Sequence, residues 1–263
     1  MILVKIGGGR QINIEGIISN LSEINDKMII VHGANALRDE LAERLNYEKK
    51  ILNSVSGYSS VFSDEEAVDI MMMAYSGLRN KRIVELCQQK GINAVGLSGI
   101  DGKLIQGRRN NGIRIKENGK LRIVRDYSGK PKSINSNLLN ILIDNNYVPV
   151  ICVPIIDENN FAINSENDDI VAVIQSELKT DKIISLIEAP GFLDNAEDEN
   201  SLVKNMSKNE LGDREEQVDG RMKRKILALR KLFENSDTTV IISDGRSENP
   251  INDALNGKGT TIS

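Results

Sequence analysis

The 263-residue chain is 40% hydrophobic and 27% charged, a globular balance that excludes disordered and fibrous classes. Its formal charge of -4 gives no footing for nucleic-acid binding, and two cysteines, Cys87 and Cys152, without a Cys-x-x-Cys pair suggest buried thiols rather than a disulfide framework or zinc site. No apolar run reaches the roughly 18 residues of a membrane span, and the opening ILVKIGGG lacks the charged region and cleavage site of a signal peptide, so the chain reads as cytoplasmic.

Short β-branched runs alternate with longer amphipathic stretches along the whole chain. A strand is expected over 2–6 and a helix at about 12–23. A strand over 28–31 and a helix over 36–45 follow, then a long helix over 64–90. The next strand is expected over 94–97, a helix over 133–145, a strand over 148–153 and a helix over 168–178. Strands over 182–186 and 239–242 enclose a last long helix over 221–234. The strand runs are near-continuously apolar, as strands covered on both faces are. Strand–helix alternation therefore predicts an α/β fold, a three-layer αβα sandwich around a mainly parallel central sheet.

Two segments break the rhythm. Residues 103–132 contain ENGK between two alternating runs, a hairpin signal because Asn-Gly suits a type I′ turn. This segment carries ten basic and two acidic residues, a local charge of +8, and with -4 overall the rest of the chain carries -12. Such asymmetry steers an acidic partner, and Arg108, Arg109, Arg114, Lys116, Lys120 and Arg122 form the candidate patch. A solvated, charge-protected hairpin is the alternative. Residues 194–219 are polar, acidic and weakly periodic, and read as a mobile surface segment leading into the last long helix.

Five motifs could carry chemistry. Lys5-Ile6-Gly7-Gly8-Gly9 ends the first strand in glycines, whose backbone can approach a phosphate closely; it is not a Walker A loop. His32-Gly33-Ala34-Asn35 leads a strand into a helix N-terminus, a place for an anion. His32 is the only histidine and reads as a structural residue. Asn164 and Asp168 precede or open a helix, where an aspartate could equally be an N-cap. Lys225 lies in the basic run GRMKRK, cations placed at a helix start against the dipole unless an anion binds there. Ser243-Asp244-Gly245-Arg246 and Gly257-Lys258-Gly259 close the chain as glycine-rich turns near the end of a parallel sheet.

In this order and spacing the motifs resemble the amino-acid kinase superfamily, the fold of acetylglutamate kinase. SVSGYSSVFSDEE, AVGLSGIDGKLIQGRR, GRMKRK and SDGRSENP resemble most closely the kinases of aminoadipate or glutamate linked through its amino group to the small acidic carrier protein LysW. The resemblance implies ATP-dependent phosphorylation of a side-chain carboxylate in lysine (and arginine) biosynthesis, with Mg²⁺ arriving on ATP. A kinase of free acetylglutamate and a non-catalytic sensor on the same fold are the alternatives.

The resemblance further implies that Lys5 and Lys225 stabilise the transferring phosphoryl group and that Asp168 positions both. Gly7, Gly8, Gly191, Gly257 and Gly259 would serve the nucleotide; Gly33, Ala34, Asn35, Val61 and Asn164 the acidic substrate. It implies a single domain over 1–263, with an acidic-substrate and dimer lobe over roughly 1–175, a nucleotide lobe over 176–263, and a homodimer. Four places depart from the family pattern. Ala34-Asn35 stands for Gly-Gly, and Val61 for the arginine of the substrate carboxylate, with Ser59 or Ser60 as candidate substitute donors. Ile187-Glu188 precedes Ala-Pro-Gly where relatives have Thr-Asp, and Gly220-Arg221 precedes Met222 where they have a glycine pair.

Overall fold

All six apolar runs expected as strands enter one eight-stranded sheet. Its order is Asn205–Met206, Thr260–Ile262, Thr239–Asp244, Lys182–Ile187, Ile2–Ile6, Met28–His32, Val148–Cys152, Ala94–Ser98. Every neighbouring pair is parallel except Thr239–Asp244 with Thr260–Ile262. The computed structural model describes residues 1–55, 59–117, 120–195, 197–216, 220–233 and 238–263; the side chains of Asn53, Ser59, Ser60, Glu117 and 220–225 lie outside that description.

Side chains alternate across a strand, so each central strand feeds two cores. Ile2, Val4 and Ile6 pack with Ile30, Ile184, Ile17, Ile18 and Ile251 on one face. Leu3 packs with Ile29, Val31, Ile183, Ile170, Val171 and Ile226 on the other. Each such buried side chain contributes about 1.5–3 kcal/mol. Cys87 and Cys152 are buried in these layers, and burial pushes both thiols up to about 12. No helix among the described residues is long and apolar enough to cross a membrane.

The long helix expected over 64–90 is Glu65–Met71, Met72–Arg79 and Asn80–Gln89 in continuous succession, the middle eight residues being π-helical. Asp64 caps it by accepting from Ala67 N–H at 2.9 Å. The helix expected over 133–145 starts later, at Ser136–Asp144, because Gly129–Ile134 is a strand paired with Ile105–Arg109. The segment 194–219 is more ordered in its described part than its polarity suggested. Asn205–Met206 adds an edge to the central sheet and Glu210–Glu216 is helical, its Leu211 buried.

The basic hairpin is Ile113–Glu117 with Lys120–Val124, antiparallel, its turn residues 118–119 outside the description. It is joined through a Ser54–Ile115 bridge to a second hairpin, Ile51–Asn53 with Ser59–Val61.

Candidate active site

The chain first lays strands on one side of Ile2–Ile6, then crosses to Lys182–Ile187 on the other. That reversal is a topological switch point, and ligands of open α/β sheets bind at the carboxyl ends of the strands there. Lys5 shares a face with Leu3, two residues back, the face covered by the helix Asn167–Leu178. It therefore meets the first turn of that helix, and its ammonium lies 3.1 Å from Asp168 Oδ1. Lys5 is 8% exposed. Asp168 is in the first helical turn, behind the Glu166 N-cap position, where the helix dipole also favours its charge.

A cleft of about 470 Å³ opens beside this pair. Lys5, Asp168, Ser185 and Gly191 line it together with an apolar wall of Ile187, Phe192, Ile226, Leu229 and Ile242. The helix Gly220–Phe233 forms one side and carries Lys225, whose side chain lies outside the described residues.

The glycine turns after the first two strands touch backbone to backbone. Gly7 N–H donates to Leu186 O, Gly33 N–H to Ile6 O and Ala36 N–H to Gly8 O, each at 2.9 Å. A Cβ on Gly8 would sit 2.6 Å from Asn35 N and 2.7 Å from Ala34 N, and one on Gly33 would sit 2.8 Å from Gly8 N. Only glycine at both positions permits this approach. Asn167 closes the same corner, its Nδ2 3.4 Å from the place a Gly33 Cβ would occupy. Glu188 packs against Gly9 and accepts from Gln11 N–H at 2.5 Å, so this departure from the family pattern pins the Gly7–Gly9 turn to the neighbouring strand.

Open polar capacity gathers around these turns. Arg79 donates through Nη2 to Gly9 O at 3.3 Å, while its buried Nε has no partner among the described residues. Ser165 Oγ and Asn167 Oδ1, on either side of the Asp168 helix start, are likewise buried without one. Sequence reading passed over Arg79 and gave Ser165 and Asn167, which lie in the stretch 164–169, no role of their own; their neighbourhood to small-residue turns was the available signal.

His32 is fully buried and holds no catalytic position. Asn80 Nδ2 donates to Val150 O at 2.9 Å, which fixes the amide, so the same nitrogen also donates to His32 Nε2 at 3.1 Å. His32 is thus a neutral imidazole with its proton on Nδ1, facing Gly33 O at 3.4 Å. Burial pushes its pKa down from 6.5 to about 3. A depressed histidine withholds its proton in the folded state. Its contribution to stability is complete above about pH 6.5 and shrinks as pH falls towards 3, at about 1.4 kcal/mol per pH unit for one proton. His32→Gln, which keeps an acceptor but cannot titrate, is expected to flatten this acid limb in urea melts at pH 4–7. Equal slopes for variant and wild type would refute the assignment.

Of the residues expected to hold the acidic substrate, Ala34 is fully buried and Asn35 Oδ1 accepts a hydrogen bond from Tyr75 Oη. Asn164 Nδ2 donates to Ser63 Oγ at 3.0 Å, and Ser63 Oγ donates to Val61 O at 3.2 Å. Asn164 and Val61 are therefore brought together through a residue that sequence reading did not single out.

A model of the amino acid kinase family matches residues 1–244. The chain belongs to the amino acid kinase family. It is 37% identical to the [LysW]-aminoadipate kinase of Thermus thermophilus over 268 residues, covering all of both chains. It is 34% identical to the [LysW]-aminoadipate/[LysW]-glutamate kinase of Metallosphaera sedula, again over all of both. Carbamate kinase from Giardia lamblia bound to AMP-PNP shares the fold with a TM-score of 0.69 at 17% identity, over 99% of this chain and 97% of that one.

The remaining candidate residues of this amino acid kinase divide. Gly191 lines the cleft, whereas Gly257 and Gly259 lie outside its lining and shape the turn before the last strand. Gly259 has φ +123°, and a Cβ there would meet Ile242 O at 2.3 Å. Of the basic patch, Arg108, Arg114, Lys116, Lys120 and Arg122 are exposed. Arg109 is half-buried instead, its guanidinium 3.8 Å above the Tyr127 ring and its Nε donating to Asp126 O at 2.8 Å. Arg109 is thus bound into the base of the arm.

Proposed function

We propose that this chain is an ATP-dependent kinase acting on the side-chain carboxylate of aminoadipate or glutamate attached to the acidic carrier protein LysW. The full-length similarity to kinases of that name carries this reading. The pair of buried Lys5 and partly exposed Asp168 at the switch point supports a transfer site of the kind such a reaction needs.

The nucleophile is already an anion, so the reaction requires no general base. A carboxylate oxygen forms a bond to the γ-phosphorus, the bond from that phosphorus to the β–γ bridging oxygen breaks, and ADP leaves with the electron pair. What the protein must supply is alignment of two anions and donors aimed at charge on the phosphoryl oxygens. Lys5, held by Asp168, supplies one cation; Lys225, on the helix beside the cleft, supplies the other from the nucleotide side. The Gly7–Gly8 turn would cradle the phosphates, and the apolar wall from Ile187 to Ile242 would take the base. Mg²⁺ would enter on the phosphates and neutralise part of their charge. Gly33, Ala34, Asn35, Val61 and Asn164 face the acceptor, in a lobe of roughly 1–175, with the nucleotide in 176–263. The exposed cations of the 103–132 arm would receive the acidic carrier. The enzyme would work in the cytoplasm as a homodimer, and acceptance of glutamate would extend its use to arginine synthesis.

Trapping acyl phosphate with hydroxylamine tests the reading, with Mg-ATP and three acceptors in parallel: LysW-aminoadipate, LysW-glutamate and free acetylglutamate. Hydroxamate is expected only with the carrier-linked acceptors. Product from free acetylglutamate alone would replace the carrier reading.

A further inference from the structure

Three segments distant in sequence meet beside Asn164. Asp126, 3% exposed, accepts through Oδ2 from Ser63 N–H at 3.1 Å and through Oδ1 from the Ser128 N–H at 3.2 Å and hydroxyl at 2.5 Å. Tyr127 N–H donates to Ser63 O at 2.6 Å, and Asn164 N–H donates to Tyr127 O at 2.7 Å. Gly129 N–H donates to Asn164 O at 2.9 Å. The backbones of Ser63 and Asn164 are thereby fixed to one another through 126–129.

Within that frame the Ser63 hydroxyl, 1% exposed, dictates which end of the Asn164 amide faces it. A hydroxyl has one proton. Ser63 directs it to Val61 O, so towards Asn164 it presents a lone pair, and only the NH₂ of Asn164 can lie there. Flipping the amide would turn the Ser63 proton to Asn164 and leave Val61 O without it, one hydrogen bond fewer. The amide is therefore held with its nitrogen oriented by Ser63, and its second N–H has no acceptor among the described residues. Position 61 adds no cation, so a neutral donor carries more of the recognition there.

We propose that Ser63 is a positioning residue that presents Asn164 as a hydrogen-bond donor to the anionic acceptor, with Asp126 holding Ser63 in place. This rests on the acceptor reading above. A carboxylate only accepts, so an amide turned the other way would set oxygen against oxygen and weaken acceptor binding without touching the nucleotide.

Steady-state hydroxamate kinetics with LysW-aminoadipate test this on wild type, Ser63→Ala, Ser63→Thr, Asn164→Ala and the Ser63→Ala/Asn164→Ala double variant. Ser63→Ala is expected to raise KM for the acceptor about 10-fold, the scale of one lost hydrogen bond to a charged group, with kcat and KM for ATP within about twofold. Ser63→Thr, which keeps the hydroxyl, is expected to recover most of the loss. Ser63→Ala should add nothing to Asn164→Ala. Wild-type turnover tests the acceptor reading; the ratio of Ser63→Ala to wild-type KM tests this inference. An acceptor KM unchanged in Ser63→Ala, an equal rise in KM for ATP, or additive effects in the double variant would overturn it.

Discussion

Lys5→Met is expected to lower kcat by about 10²–10³-fold, the cost of removing one donor aimed at transition-state charge. Methionine keeps the length and apolar stem of the side chain, so packing against Leu3 and its neighbours survives. What disappears is the ammonium 3.1 Å from Asp168. Asp168 is about one-third exposed, so water can solvate the carboxylate left behind and the melting temperature should move little. KM for the acceptor should also stay close to wild type, because the charge that Lys5 meets develops during transfer. Rapid-quench measurement of acyl phosphate formation separates the chemical step from product release. A loss under tenfold in that step would remove Lys5 from the transfer machinery.

Gly8→Ala is expected to reduce kcat/KM by at least about 10²-fold, the penalty of misplacing reacting groups by an ångström. The added methyl would lie 2.6 Å from Asn35 N, 2.7 Å from Ala34 N and 2.9 Å from Gly33 C. These are backbone atoms, which cannot rotate away, so the two turns must separate. Overpacking of this kind costs about 1–3 kcal/mol, which in a chain of this size lowers Tm by about 2–12 °C. The variant should therefore fold and bind poorly at both substrates. Gly212→Ala is the control, because a Cβ there meets nothing within 4 Å and the residue lies on the helix Glu210–Glu216, away from the turns. Full activity in Gly8→Ala would mean that the turns need not touch.

Much of this architecture was legible because it is written in runs. Six continuous apolar strands each found the central sheet, since a strand covered on both faces has no polar side to disguise it. Lys5 and Asp168 were legible as a pair through the resemblance, and period-two alternation explains why the lysine turns towards the helix that bears Asp168. Other features leave no such trace. Asn205–Met206 is two residues long and Glu210–Glu216 is polar, so neither has a period to read. The π-helical turn hides inside an apolar pattern that an α-helix would also give. Ser63 is joined to Asp126 and to Asn164 by hydrogen bonds over 63 and 101 positions, where a serine in a polar stretch carries no mark of burial. Counting charges placed Arg109 among the docking cations, and no count could show that its guanidinium rests on Tyr127.

The position of the first strand also sets an order of events during synthesis. Ile2–Ile6 lies between Met28–His32 and Lys182–Ile187, and Met1 O accepts from Asp181 N–H at 3.1 Å. The first strand thus waits for a neighbour that lies 180 positions further along the chain, Ile2 pairing with Lys182. Until it arrives, one edge of the first strand is bare and Lys5 has no floor beneath its cleft. Such non-local parallel pairing is slow and leaves an apolar edge open to other chains. A nascent chain stalled before residue 182 should therefore be protease-sensitive at Ile2–Ile6, and the Lys5–Asp168 corner should be among the last parts of the molecule to become resistant.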